Sequence, residues 1–152
     1  MSTPIPFHRI KRVAVLGSGV MGSAIACHVA QCGAEVLLLD LPSDEGPRNA
    51  IAAGHLKKSF KGKPSPIYSK RFAKRIQTGN FEDDLHNIAE CDWILEVVVE
   101  RLDIKQQLFE KVEQHRRPGT YITSNTSGIP MAMLVEGRSD DFKAHFCGTH
   151  FF

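Results

Sequence analysis

Long apolar runs are missing from this 152-residue sequence: none approaches the roughly 18 consecutive residues of a membrane helix, so no membrane association is expected. A secretory signal is missing too. The first eleven residues scatter Met1, Ile5, Phe7 and Ile10 among proline, histidine and arginine, and the default location is cytoplasmic. Cys27, Cys32, Cys91 and Cys147 form no Cys-x-x-Cys pair, which excludes a zinc ribbon or dithiol centre built from near neighbours. Reduced thiols and no metal site are the expectation. Charge of one sign is also scarce, since 19 basic residues stand against 17 acidic ones, and a formal +2 gives no reason to expect nucleic acid as a partner. Without internal repeats or low-complexity tracts, what remains is a globular composition, 42% hydrophobic and 24% charged, of a length suited to one domain.

What is present reads as alternating strands and helices. Arg12 to Leu16 is a short apolar run ending at Gly17; Ala24, Ile25, Ala26, Val29 and Ala30 then recur at helical spacing up to Cys32-Gly33. Glu35 to Asp40 is a second strand, closed by the turn chemistry of Leu41-Pro42-Ser43-Asp44. Helical pieces are expected over 49–60 and 70–75, a turn at Thr78-Gly79-Asn80, and a short helix over 82–88. The near-continuous apolar run Trp93 to Val99 predicts a strand covered on both faces. Ile104, Leu108 and Val112 mark a helix that Pro118-Gly119 terminates. A strand over 121–123, a helix over 129–136 and a strand over 144–152 complete the reading. This pattern predicts an α/β fold with a mainly parallel sheet, doubly wound in the Rossmann manner, with ligands outside the carboxyl ends of the strands.

One motif carries chemistry by itself. Gly17-Ser-Gly19-Val-Met-Gly22 follows a predicted strand and opens a predicted helix, the context that a Gly-x-Gly-x-x-Gly dinucleotide loop requires. Gly17 permits the tight turn, Gly19 lets backbone N–H groups approach a pyrophosphate, and Gly22 lets helix pack on strand. Val20 and Met21 lie within that loop and join it as candidate cofactor residues. Asp40 ends the second strand, where a carboxylate accepts hydrogen bonds from ribose hydroxyls and repels a 2′-phosphate, which favours NAD over NADP.

A second group of motifs gives a more specific resemblance. Asp92 to Phe109, with Glu100 after a strand and Lys105 ahead of a Leu-Phe pair, then Ser124-Asn-Thr-Ser127, then Gly148-Thr-His-Phe-Phe152, together resemble the 3-hydroxyacyl-CoA dehydrogenase family from about Lys11 onward. Thr78-Gly-Asn-Phe-Glu-Asp-Asp84 and Asn125-Thr-Ser-Gly-Ile129 look most like its long multifunctional bacterial members. The resemblance implies an NAD-binding domain of fatty acid β-oxidation that oxidises 3-hydroxyacyl-CoA to 3-oxoacyl-CoA. It makes Glu100, Lys105 and Asn125 cofactor residues beside Gly17, Gly19, Gly22 and Asp40. Ser127 would touch the reacting oxygen and His150 would be the catalytic base, a choice that suits the neutral-range proton acceptor an alcohol oxidation needs.

The same resemblance implies a leader over residues 1–11, a nucleotide-binding domain over 12–152, and truncation ahead of a helical substrate and dimerisation domain. It further implies a homodimer or a multifunctional assembly with an enoyl-CoA hydratase module, and an acyl-CoA substrate. Eight cations between Lys57 and Arg75, with no acid among them, would suit coenzyme A phosphates or simply form a solvated face. The competing readings are a 3-hydroxyisobutyrate or 6-phosphogluconate type dehydrogenase and a non-catalytic, crystallin-like NAD-binding protein.

Overall fold

A computed structural model describes residues 10–151, so the expected leader falls mostly outside the described residues, as does Phe152. Six strands form one sheet: β1 (Arg12–Leu16), β2 (Glu35–Asp40), β3 (Ile76–Asn80), β4 (Trp93–Glu96), β5 (Tyr121–Ser124) and β6 (Phe146–Gly148). Their order is β3-β2-β1-β4-β5-β6 and every neighbouring pair is parallel. The helices are α1 (Val20–Gln31), α2 (Ala50–Phe60), α3 (Lys70–Ala73), α4 (Leu102–His115), α5 (Met131–Leu134) and α6 (Asp140–Ala144), with a 3-10 helix at Leu85–Glu90. The order reverses between β1 and β4, the doubly wound topology expected from the alternating pattern.

Side-chain parity builds two cores from one set of strands. Val13, Val15, Val36, Leu38 and Leu95 turn to the face covered by α1 and α2, where Ala26, Cys27 and Ala30 let the helix sit close. Ala14, Leu16, Leu37, Leu39, Ile94 and Ile122 turn to the other face, against Ile88, Phe109 and Phe142. Burial on both faces is why these strands read as continuous apolar runs.

Several boundaries differ from the sequence reading, each for a physical reason. Thr78-Gly79-Asn80 is the end of β3, in register with Leu38, Leu39 and Asp40, and not a turn. The turn begins one step later, where the Asn80 carboxamide oxygen accepts the N–H groups of Glu82 and Asp83. β3 is an edge strand, so it needs only one apolar neighbour and tolerates polar residues. The run to Val99 leaves the sheet after Glu96, because the Glu96 carboxylate takes the N–H of Val98 that further pairing would need (2.7 Å). The expected helix over 82–88 is the 3-10 helix, shifted to Leu85–Glu90.

The expected strand over 144–152 shrinks to Phe146–Gly148, preceded by a short helix at Asp140–Ala144. Its signal was in the sequence: Ser139 caps α6 by accepting the N–H of Phe142, with Asp140 and Asp141 in the first turn. Phe109, Phe142 and Phe146 pack ring against ring at centroid separations of 5.4 to 5.9 Å, anchoring β6 despite its length. Among the described residues, no helix is long and apolar enough to cross a membrane.

Candidate functional site

At the carboxyl edge of the sheet the three glycines of the loop play different parts. Gly17 has φ +106°, and a Cβ there would lie 2.7 Å from the Val97 carbonyl oxygen, so it serves the crossing of the β1 and β4 loops. A Cβ on Gly22 would lie 1.8 Å from the Gly17 carbonyl oxygen, so it serves helix–strand packing. Gly19 serves neither purpose: its φ is −53° and a Cβ would meet nothing within 4 Å. The space above Gly19 is open, at the start of a 12-residue helix with no capping side chain and no acid in its first turn. Uncapped N–H groups and the positive end of the helix dipole fit a pyrophosphate there.

Asp40 stands at the end of β2 with its side chain 18% exposed. Its Oδ2 accepts the backbone N–H (2.7 Å) and the hydroxyl (2.5 Å) of Ser18, and its Oδ1 accepts the N–H of Leu41 (2.8 Å). The hydroxyl oxygen of Ser18 lies 2.8 Å from Nδ1 of His55 on α2. Gly19, Val20, Ser23, His55, Lys58 and Ser59 line an adjoining cleft of about 350 Å³. Val20, Met21, Leu41 and Val99 expose large apolar side chains along this edge, a concentration that suits the flat faces of a nucleotide. Leu41 and Val99 carried no signal in the sequence beyond flanking a strand end.

The other half of the edge is built from side chains. Lys105 is 1% exposed, and its Nζ donates to Glu96 Oε1 (2.7 Å) and to the Val98 carbonyl (3.2 Å), with Glu100 Oε2 at 3.4 Å. Glu96, wholly buried, also accepts the Ser124 hydroxyl. Glu100 accepts the Thr126 hydroxyl and the Gly128 N–H. Burial pushes the Glu100 carboxyl up, but those two hydrogen bonds and the Lys105 ammonium outweigh it and hold the group below the usual carboxylate range. The network ties the loop after β4 to the loop after β5. Glu96 was missed in the sequence, although a lone acid inside the run Trp93 to Val99 is the signal of a buried charge that must have a partner.

Asn125 joins that edge to the last described segment. Its Oδ1 accepts the N–H of Phe151 (2.8 Å), and Thr149 donates its N–H to the Ser124 carbonyl (3.0 Å). His150 is thus carried on backbone fastened to the loop that bears Asn125 and Ser127, and both His150 and Ser127 are exposed. Gly17, Gly19, Val20, Met21, Gly22 and Asp40 gather on the β1–β2 side; Glu100, Lys105, Asn125, Ser127 and His150 gather on the β4–β6 side.

The chain is also similar to known proteins over nearly its whole length. Residues 12–152 match the family model described as 3-hydroxyacyl-CoA dehydrogenase, NAD binding domain. A Bacillus subtilis protein named a probable 3-hydroxyacyl-CoA dehydrogenase is 48% identical over 94% of this chain and 20% of its own length. One of the same name from Deinococcus radiodurans is 45% identical over 95% of this chain and 42% of its own length. A Rickettsia felis relative, 40% identical over 95% of this chain and 20% of its own length, carries the name "Putative fatty acid oxidation complex trifunctional enzyme". Among solved structures, 3-hydroxybutyryl-CoA dehydrogenase of Escherichia coli superposes with a TM-score of 0.74 at 31% identity, covering 95% of this chain and 30% of that one. The chain therefore spans less than half the length of these relatives.

Proposed function

The chain belongs to the family of 3-hydroxyacyl-CoA dehydrogenase NAD-binding domains, and from that premise we propose that the protein oxidises 3-hydroxyacyl-CoA to 3-oxoacyl-CoA in fatty acid β-oxidation. NAD, when bound, supplies the hydride acceptor. Gly17, Gly19 and Gly22 shape the loop; Val20 and Met21 offer N–H groups and an apolar edge to the dinucleotide. Asp40 accepts from the adenosine ribose. Glu100, Lys105 and Asn125 hold the nicotinamide riboside end, Lys105 acting through the carboxylates it bridges. Ser127 hydrogen-bonds the reacting oxygen and His150 takes the hydroxyl proton.

The observation that carries this reading is the open space above Gly19, a glycine that neither backbone conformation nor packing of the chain requires. The substrate side rests on charge. Lys57, Lys58, Lys61, Lys63 and Lys70 are exposed, and Lys58 lines the cleft beside the loop, where coenzyme A phosphates would find it. Arg71 and Arg75 lie over the Phe72 ring and contribute less to such a face. Relatives include trifunctional fatty acid oxidation enzymes, and we extend that to an assembly with an enoyl-CoA hydratase activity, or a homodimer, in the cytoplasm.

Titration of the 152-residue chain with NADH by calorimetry, paired with a coupled acetoacetyl-CoA reduction assay, tests the reading in two parts. Binding without turnover is expected, because Ser127 and His150 stand open to water and a proton-transfer site needs water excluded and groups positioned. Failure to bind NADH would overturn the cofactor assignment; robust reduction would overturn the view that these residues hold only part of the active site.

A further inference from the structure

Asp40 does not stand alone at the end of β2. The hydroxyl of Ser18 carries a single hydrogen, and at 2.5 Å from the carboxylate Oδ2 that hydrogen lies between the two oxygens. The remaining 2.8 Å contact of the Ser18 oxygen, to Nδ1 of His55, therefore needs its proton from the imidazole. Donation runs in one direction, from His55 Nδ1–H to Ser18 Oγ and from Ser18 O–H to Asp40 Oδ2. Each link polarises the next.

With the Ser18 backbone N–H on the same oxygen, both acceptor directions of Oδ2 are filled, and Leu41 fills one of those on Oδ1. The carboxylate is fixed in plane and rotation, with one acceptor direction of Oδ1 left. Ser18 is wholly buried, so this arrangement is internal to the protein. The charged groups facing His55 are Asp40, 3.9 Å away, and Lys58, which lines the same cleft; α1 brings Val20 and Ser23 there and adds no charge.

We propose that Ser18 and His55 are positioning residues for Asp40, and that through it they set the preference for NAD over its 2′-phosphorylated form. The inference rests on the reading of Asp40 as the ribose acceptor. A carboxylate aimed by two donors on its far oxygen presents a fixed acceptor to a ribose hydroxyl and a fixed negative charge to a phosphate. A carboxylate free to turn can swing that charge aside and discriminate less.

Calorimetric titration of NAD and NADP into the chain and four variants tests this. Asp40→Ala should weaken NAD and leave NADP unchanged or tighter. Ser18→Ala should weaken NAD by about tenfold, the loss of one hydrogen bond to a charged group, with NADP changed less than about twofold. His55→Phe should shift the ratio in the same direction by a few-fold. His55→Asn, whose amide nitrogen takes the place of Nδ1, should restore the original ratio. Because His55 is half exposed on α2, its variants keep the measurement meaningful even if Ser18→Ala does not fold. Equal weakening of both nucleotides by Ser18→Ala, or no shift with His55→Phe, would overturn the inference while Asp40 kept its role. Unchanged NAD affinity in Asp40→Ala would overturn the reading beneath it.

Discussion

The two halves of the sheet edge solve one problem with different materials. On the β1–β2 side the candidate site is mostly backbone: a glycine turn, an uncapped helix start, and one carboxylate held by the residue between the glycines. On the β4–β6 side it is side chains bonded to side chains, with Glu96, Glu100 and Lys105 joined to Ser124 and Thr126 across separations of up to 28 residues. A backbone device can lose binding without losing the fold. A buried network of charges cannot be broken so cheaply.

The largest effect expected from that contrast is on stability. Lys105→Met should cost about 3 to 5 kcal/mol, because it leaves the wholly buried Glu96 carboxylate without its cation. Pairing it with Glu96→Gln should recover much of the loss, since the remaining carboxylate, Glu100, is half exposed and no uncompensated charge stays buried. Urea unfolding of the single and double variants checks this; a loss under about 1 kcal/mol in the single variant would make the two halves alike after all.

Next comes the converse on the glycine side. Gly19→Ala should leave stability within about 1 kcal/mol of the parent, a range set by the modest loss of a good N-cap residue. NAD affinity should fall by at least about tenfold, because the methyl group takes the open space proposed for the pyrophosphate. Unfolding and NADH titration on the same sample separate the two quantities, and unimpaired binding would show that the space has another use.

The smallest effect separates the halves by acid. Glu100, Glu113 and Asp141 on the β4–β6 side, and Asp92 at the seam with β1, are held below the usual carboxylate range. For Asp92, Glu100 and Glu113, burial raises the carboxyl and its hydrogen bonds and neighbouring cations more than offset it; for Asp141 the leading cause is the Arg116 hydrogen bond. On the β1–β3 side Asp83 is held low by its hydrogen bonds with Arg48 and Asn80. Depressed folded values mean that their stabilisation is complete above the ordinary carboxyl range of about 4 and is lost as pH falls below it. Amide exchange corrected for intrinsic rates should therefore speed up in β5 and β6 before β1 and β2 between about pH 5 and 3. Uniform acceleration would count against the distinction.

The same contrast governs how much of the protein was legible in its sequence. Gly17, Gly19, Val20, Met21, Gly22 and Asp40 could be read directly, because a backbone device is written in one short stretch and one fixed spacing. Glu100, Lys105, Asn125, Ser127 and His150 came only through family resemblance, since nothing local distinguishes a lysine that bridges two carboxylates from one on a solvated helix. Ser18 and His55 escaped notice because their partners are 22 and 37 residues away, whereas Glu96, only nine residues from Lys105, did show a local signal as the lone acid of an apolar run. In the fold, the apolar central strands were clear, whereas β3 was hidden by Thr78-Gly79-Asn80, which has turn chemistry yet pairs on only one side. The α6 cap at Ser139 was present in the sequence and overlooked beside the apolar run that follows it.

The strand order also has a kinetic side. β1 meets β2 through Arg12 and Glu35, and β4 meets β5 through Trp93 and Tyr121, so each half can zip from chain neighbours. The seam between β1 and β4 is different: there the Arg12 N–H reaches the Asp92 carboxylate across 80 residues of chain. Closing a loop of that length costs about 1 kcal/mol more than closing a single strand–helix–strand unit, and contacts so distant in sequence are slow to find. Gly17 meets the Val97 carbonyl across this seam. The crevice between the halves thus exists only after the longest loop has closed, so a refolding chain regains nucleotide binding no sooner than that closure.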